Sequence, residues 1–346
     1  MWRAEAKAVP VKAAPGEAAS VEAASVEAES GEAASVEAAS VEAAPGQAAP
    51  VEAAWVAGGA IGRPVSRLWT LGLFRSELTI TLRRWRTLAL LGVLAAVPVL
   101  VGIAVKIETG DGSTAGQRGD GGAGPAFMAQ ITNNGLFLVF TALAATLPFL
   151  LPMAVGVVAG DAVAGEANSG TLRYLLVAPA GRTRLLLAKY ATTVTFCLLA
   201  TLVVAVSALA VGALLFPLGD LTTISGTRIS LADGLVRALF IALAVTASLL
   251  GVAALGLFVS TLTNSGIAAM ATTVGLLTTV QILDQIPQLH AIQPYLFSHY
   301  WLSFADLMRE PVYWVELQKN LGLQAVYVAV FGSAAWARFT TKDVTA

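Results

Sequence analysis

Charge is what this chain has least of. Only 12% of its 346 residues are Asp, Glu, Lys or Arg, and no ionisable acid, base or histidine occurs from Gly121 to Gly160, Tyr190 to Gly219 or Ala238 to Leu283. Coupled transporters driven by ions usually place an acid, base or histidine inside such stretches, so their emptiness argues against ion-coupled transport. Histidine is scarce too, and His290 and His299 have no acid or thiol at metal-ligand spacing. The single cysteine, Cys197, lies within an apolar run and makes no disulfide in this chain. Neither a Gly-x-x-x-x-Gly-Lys-Ser/Thr phosphate loop nor a His-Glu-x-x-His pair occurs, which excludes nucleotide binding by that route and zinc proteolysis. Nothing here reads as an enzyme or as a nucleic-acid binder.

What is present is hydrocarbon: 56% apolar residues and a mean hydropathy of +0.74 describe an integral membrane protein. Charge divides along the chain. Residues 1–54 hold nine acids and three bases, leaving thirteen acids and eighteen bases for the remainder. The acidic part repeats a five-residue unit from Pro15 to Ala54, most cleanly at Ser20–Ala24, Ser35–Ala39 and Ser40–Ala44. Residues five apart advance about 140° around a helix, so its glutamates form no face opposite an apolar one. Residues 1–62 therefore read as a disordered tail, either a docking or spacer arm or a dispensable extension from a misplaced start. No continuous apolar core follows Lys12, so it does not read as a signal peptide.

A crossing helix needs about 20 mostly apolar residues. The gaps between charges predict an all-α membrane domain over 63–346 with six transmembrane helices near 87–106, 131–160, 190–216, 238–259, 266–284 and 321–337. The polar cluster Ser260–Ser265 separates the fourth and fifth spans. Bases concentrate before the first span (Arg67, Arg75, Arg83, Arg84, Arg86), after the second (Arg173, Arg182, Arg184, Lys189) and at the C-terminus (Arg338, Lys342). Six spans bring all three groups to one side, which the positive-inside rule makes cytoplasmic, together with both termini. Residues 65–86 mix Leu, Ile, Phe and Trp69 with arginines and Glu77, a pattern for an interfacial helix with arginines among lipid phosphates.

The polar interruption at 161–189 is the part built to be touched by another protein. Asn168 and Ser169 offer a helix start, Leu172, Leu175 and Leu176 would share one face, and Pro179-Ala180-Gly181 would end a helix over 171–177. Such a short, partly apolar helix suits a partner's groove. Glu166 reads equally as a partner contact, a helix cap or a pair for Arg173.

The run Gly165-Glu166, Gly170-Thr171-Leu172, Leu175-Leu176, Pro179, Arg182 and Lys189 resembles the signature of ABC-2 type permeases, and the resemblance extends over about 65–340. It implies an ABC-2 permease fold and a dimer, homo- or hetero-, with a second permease copy. It also implies coupling through the cytoplasmic loop to a separate ABC ATP-binding subunit. ATP and Mg would then sit on that partner, with no cofactor on this chain. The second cytoplasmic loop, Ser260–Ser265, is short and uncharged, leaving coupling to Glu166, Gly170, Thr171, Leu172, Leu175, Leu176, Pro179 and Arg182.

Thr272, Thr273, Thr278 and Thr279 would line one side of the fifth span, either facing a pathway or bonding back to their own helix. Pro98, Pro148 and Pro152 are expected to kink their helices. Tyr295, Phe297, Tyr300, Trp301, Tyr313 and Trp314 crowd the outward segment 287–320, as anchors at the outer interface or as a gate. The leading expectation is the permease subunit of an ATP-driven exporter in a bacterial cell membrane, moving a drug, antibiotic or lipid. An ATP-independent membrane anchoring or assembly factor that docks a cytoplasmic protein is the alternative.

Overall fold

A computed structural model describes residues 67–110, 131–170, 181–222 and 226–341. The repeat tail and the expected helix at 171–177 lie outside them, and with it Thr171, Leu172, Leu175, Leu176 and Pro179.

Two helices open the described chain: α1 (Arg67–Arg83) and α2 (Trp85–Gly110) meet at a bend on Arg84. Then come α3 (Phe137–Thr146), α4 (Leu150–Asn168) and α5 (Arg182–Leu215). A two-stranded antiparallel hairpin, β1 (Leu221–Thr222) and β2 (Arg228–Ile229), pairs Leu221 with Ile229 and leads to α6 (Leu231–Ser248) and α7 (Leu250–Leu262). After α8 (Gly266–Asp284) come three 3-10 turns between 287 and 308, then α9 (Val315–Thr341).

Among the described residues, five stretches are long and apolar enough to cross a bilayer: Trp85–Glu108, Leu150–Asn168, Arg182–Leu215, Leu231–Leu262 and Gly266–Asp284. Large apolar side chains face outward along them, Leu100, Val206, Leu214, Phe240 and Ile282 each more than half exposed. A surface of that kind is stable against lipid and not against water. The chain is a multi-pass, mostly helical membrane protein.

The predicted single span over 131–160 is instead two helices. Pro148 lacks an amide to continue the ladder and its ring crowds the preceding turn, so α3 stops; Leu147 stays helical, Phe149 leaves helical geometry at φ −131°, and α4 starts again at Leu150. Pro152 falls in the first turn of α4, where a missing amide costs nothing. The carbonyl freed at Pro148 accepts a hydrogen bond from Nε2 of Gln281 on α8. Ten residues make α3 about 15 Å long, too short to cross alone. It is accordingly buried nearly all round, with Leu138, Leu143, Ala142 and Val139 at 1% exposure or less.

A second break, at Leu249, divides α6 from α7 inside the fourth span. Here α9 supplies the polar partners. Gln324 Oε1 accepts from the amide of Gly251 at 3.2 Å, while its Nε2 donates to the carbonyl of Phe297 and to Asn320 Oδ1. Asn320 in turn donates to Ser248 Oγ at 2.6 Å. These inward amides explain why α9 is not among the five apolar stretches. Its polar side chains Asn320 and Gln324 are buried, whereas Val326 and Val330 on its outer face are more than half exposed.

Packing is layered around α4, which lies against α7 and α8, while α7 also packs on α9; α5 holds α1, α2 and α3. At one end of the bundle the last turns of α4, α7 and α9 and the first of α5 share a small core of Val163, Leu257, Ala335, Phe339, Leu185 and Leu186. This end also carries the bend at Arg84, so it is called the charged end below. The opposite, aromatic end is closed by Phe297, Trp301 and Phe304 in the main core.

Candidate functional site

The loop expected over 161–189 is much shorter than the spacing of charges implied. α4 runs on through Asp161 and Glu166 to Asn168, and α5 already begins at Arg182. Helix continuation is favoured because both carboxylates turn inward to bases instead of outward to water. Asn168 and Ser169 therefore close α4 and do not open a new helix. Ser169 is its C-cap, and Gly170 follows at φ +71°, the left-handed residue that commonly ends a helix. Gly181 at φ +74° stands immediately before α5. Ten residues outside the described set join these two glycines.

Between the helices on either side of those ten residues lies a buried ionic cluster. Lys189, on the second turn of α5, is 2% exposed, so it does not sit among lipid phosphates as a re-entry marker would. Its ammonium donates to Glu166 Oε1 at 2.5 Å and to Glu77 Oε2 at 3.0 Å. Glu77 is the inward residue of α1, 6% exposed, and Glu166 is 8% exposed. One ammonium thus joins α1, α4 and α5. Five residues before Glu166 on the same helix, Asp161 accepts from both Arg84 and Arg86 on the same oxygen, Oδ2, tying the α1–α2 bend to α4. The six charges balance, and the four buried ones, Glu77, Asp161, Glu166 and Lys189, each have an opposite charge as partner.

The glycine at 165 fits this arrangement sterically. A Cβ there would stand 2.5 Å from Asp161 Oδ1, and one at Gly266 2.6 Å from the same atom. Asp161 can fold down between α4 and α8 only because both positions are bare. A cavity of about 30 Å³ remains between Glu77, Asp161, Glu166, Lys189 and Thr192, room for a water or two. The hydroxyl of Thr192 has no protein partner and is available to such a water. Next to the cluster, Ser260 Oγ on α7 accepts from the amides of Val163 at 3.0 Å and Ala164 at 2.9 Å, fastening the last turns of α4 to α7.

Of the expected partner-coupling residues, the described ones separate. Glu166 is inside the bundle, on Lys189. Gly170 is exposed at the mouth of the loop, and Arg182 reaches from the other side of it to the carbonyl of Thr340 at 2.8 Å. Trp336 Nε1 donates to Thr183 Oγ1, so the C-terminal turns of α9 are fixed to the start of α5. The four threonines of α8 do not share a face. Thr273 is fully buried, Thr278 half-buried, and Thr272 and Thr279 exposed. Thr273, Thr278 and Thr279 bond back to carbonyls four residues earlier.

Sequence reasoning passed over Glu77, Asp161 and Lys189. The available signal was contrast: Glu77 is the single acid in an arginine-rich segment, and Asp161 follows forty uncharged residues. No cluster of three or more His, Cys, Asp or Glu suited to a metal occurs among the described residues. What the arrangement can do is mechanical: it makes three helices and a bend move as one piece.

Residues 120–345 match the family described as "Protein of unknown function (DUF2705)", and the chain belongs to that family. No curated protein matches it.

Proposed function

We propose that this protein is the membrane subunit of an ATP-binding cassette exporter of the ABC-2 permease type. In this reading it works as a dimer in the bacterial cell membrane and takes its energy from a separate ATP-binding subunit. ATP and Mg belong to that partner, and this chain carries out no reaction. The observation that carries the reading is the contact between Glu166 and Lys189. These residues bracket the loop in sequence and meet between the helices that enter and leave it, with Glu77 as third member. A push on the loop is then delivered to α1, α4 and α5 together, which is what coupling to an outside energy source requires.

The sixth crossing is α9. Its 27 residues span about 40 Å, it starts at the aromatic end, and its last turns lie on α5 at the charged end. With six crossings, the arginines before α2, the loop and Arg338 share the cytoplasmic face. The uncharged middles of the spans support a hydrophobic or amphipathic cargo moved by an external motor, in preference to an ion-coupled relay.

The test is co-purification with the ATP-binding protein encoded beside it, followed by substrate-stimulated ATP hydrolysis in liposomes. Leu172→Arg, in the expected coupling segment 171–177, is expected to abolish both association and stimulated hydrolysis while the protein still inserts. Full retention of both rules out coupling through the loop. Failure to find any ATPase partner, with no efflux defect on deletion, favours an ATP-independent anchoring factor.

A further inference from the structure

A second feature of the charged end is a cleft whose chemistry the coupling role does not use. It has a volume of about 320 Å³ and is walled by Arg84 and Arg86, by Asp161, Asn168 and Ser169 on α4, and by the first turn of α8 at Gly266–Ile267. Two guanidinium groups face one carboxylate there, leaving a net charge of +1. Asp161 would repel an anion, but both arginines bond its Oδ2, and its Oδ1 is folded against Gly165 and Gly266. Among the described residues, the one further side-chain hydrogen bond of either arginine is Arg86 Nη1 to Met270 Sδ at 3.7 Å, so most of their N–H donors are left over there. Their side chains are 33% and 50% exposed, open to a ligand without being fully solvated.

Two further elements point the same way. α8 begins at this cleft with Ser265 as its cap, and the amides of Gly266 and Ile267 have no partner inside the helix, giving its positive end to the cleft. Apolar side chains adjoin it: Ile267, in its wall, is 76% exposed, and Trp85 and Leu88, beside Arg84 and Arg86 along the chain, are 82% and 50% exposed. Cationic floor and apolar rim thus occur together where the uncharged part of α2 begins.

We propose that this cleft binds the phosphate of one anionic phospholipid, its acyl chains lying along Trp85, Leu88 and Ile267. A free phosphate would satisfy the arginines and leave the rim uncovered. A bound lipid would brace the α1–α2 bend against α8, adding to the ionic cluster a contact that depends on membrane composition. The inference needs a membrane protein but not an ATPase, so it stands or falls separately from the coupling role.

The full chain, purified in detergent without partners, is examined by native mass spectrometry and by thermal unfolding with added phosphatidylglycerol, phosphatidylcholine or inorganic phosphate. One phosphatidylglycerol retained per chain and stabilisation by that lipid alone are expected. Arg86→Gln should weaken retention about fivefold, the scale of one lost guanidinium–headgroup attraction, and Arg86→Lys should recover most of it. Arg75→Gln, on the exposed face of α1, should leave retention unchanged. Equal losses at Arg75 and Arg86 would mean diffuse attraction and overturn the site. Saturation by inorganic phosphate, or equal stabilisation by phosphatidylcholine, would overturn the lipid assignment.

Discussion

The two ends of the bundle bury polar groups by different means. At the charged end, six ionised side chains neutralise one another across α1, α2, α4 and α5. Toward the aromatic end the buried groups are neutral amides, Gln281, Asn320 and Gln324, each aimed at a backbone break or its neighbour. Charges are expensive in hydrocarbon and are tolerated where water and headgroups are close. Amides cost less and can satisfy free carbonyls and N–H groups at depth, so they suit discontinuous helices. The difference separates two jobs: the charged end transmits displacement as a unit, while the amides hold two interrupted spans in register.

That contrast can be broken most directly at Lys189. Lys189→Met strands two buried carboxylates and should cost about 3–5 kcal/mol in reversible unfolding from detergent micelles. The triple variant Glu77→Gln, Glu166→Gln, Lys189→Met should regain most of it, because no buried carboxylate is left without a base. A single variant as stable as wild type would show the cluster is not the joint described. Gln324→Leu should cost less, about 1–3 kcal/mol, from the amide of Gly251 and the carbonyl of Phe297 losing their partners. If it cost more than Lys189→Met, the ranking of the two ends would be reversed.

Smaller again is Ser260→Ala, expected at about 1 kcal/mol. Its readout beyond stability is faster amide exchange at Val163 and Ala164, since those groups lose the acceptor on α7. Thr279→Val, on the exposed face of α8, should stay within about 0.5 kcal/mol. It should leave transport untouched if the face it shares with Thr272 meets lipid, and alter it if that face lines a pathway.

Much of the helical layout was legible beforehand. The first span, the break near Ser260–Ser265 and the fifth span at 266–284 follow from apolar length and a polar gap, and α2, α7 and α8 run close to those limits. The amphipathic segment before the first span is α1, and its one acid faces inward while Arg75 faces outward. The second span went astray because hydropathy cannot see a break that another helix repairs. Pro148 was read as a kink, but a kink and a full stop look alike until Gln281 is known to reach the freed carbonyl. The polar run 161–189 was read as a loop because charges in an apolar chain normally mark its edges. Asp161, Glu166 and Lys189 are instead helical and buried, Asp161 against Arg84 and Arg86 and Glu166 against Lys189.

The sequence by itself determined the class of protein and the position of most of its long apolar stretches. These follow from composition along a line, since hydrocarbon must meet lipid and unpaired charge must not. The tertiary structure alone decided which charges became partners, because Glu77, Glu166 and Lys189 lie far apart in the chain and are brought together by three separate helices. It decided equally that α8's threonines divide between faces and that two spans are broken. A break is stable only when a distant amide satisfies it, and no linear pattern records that distance.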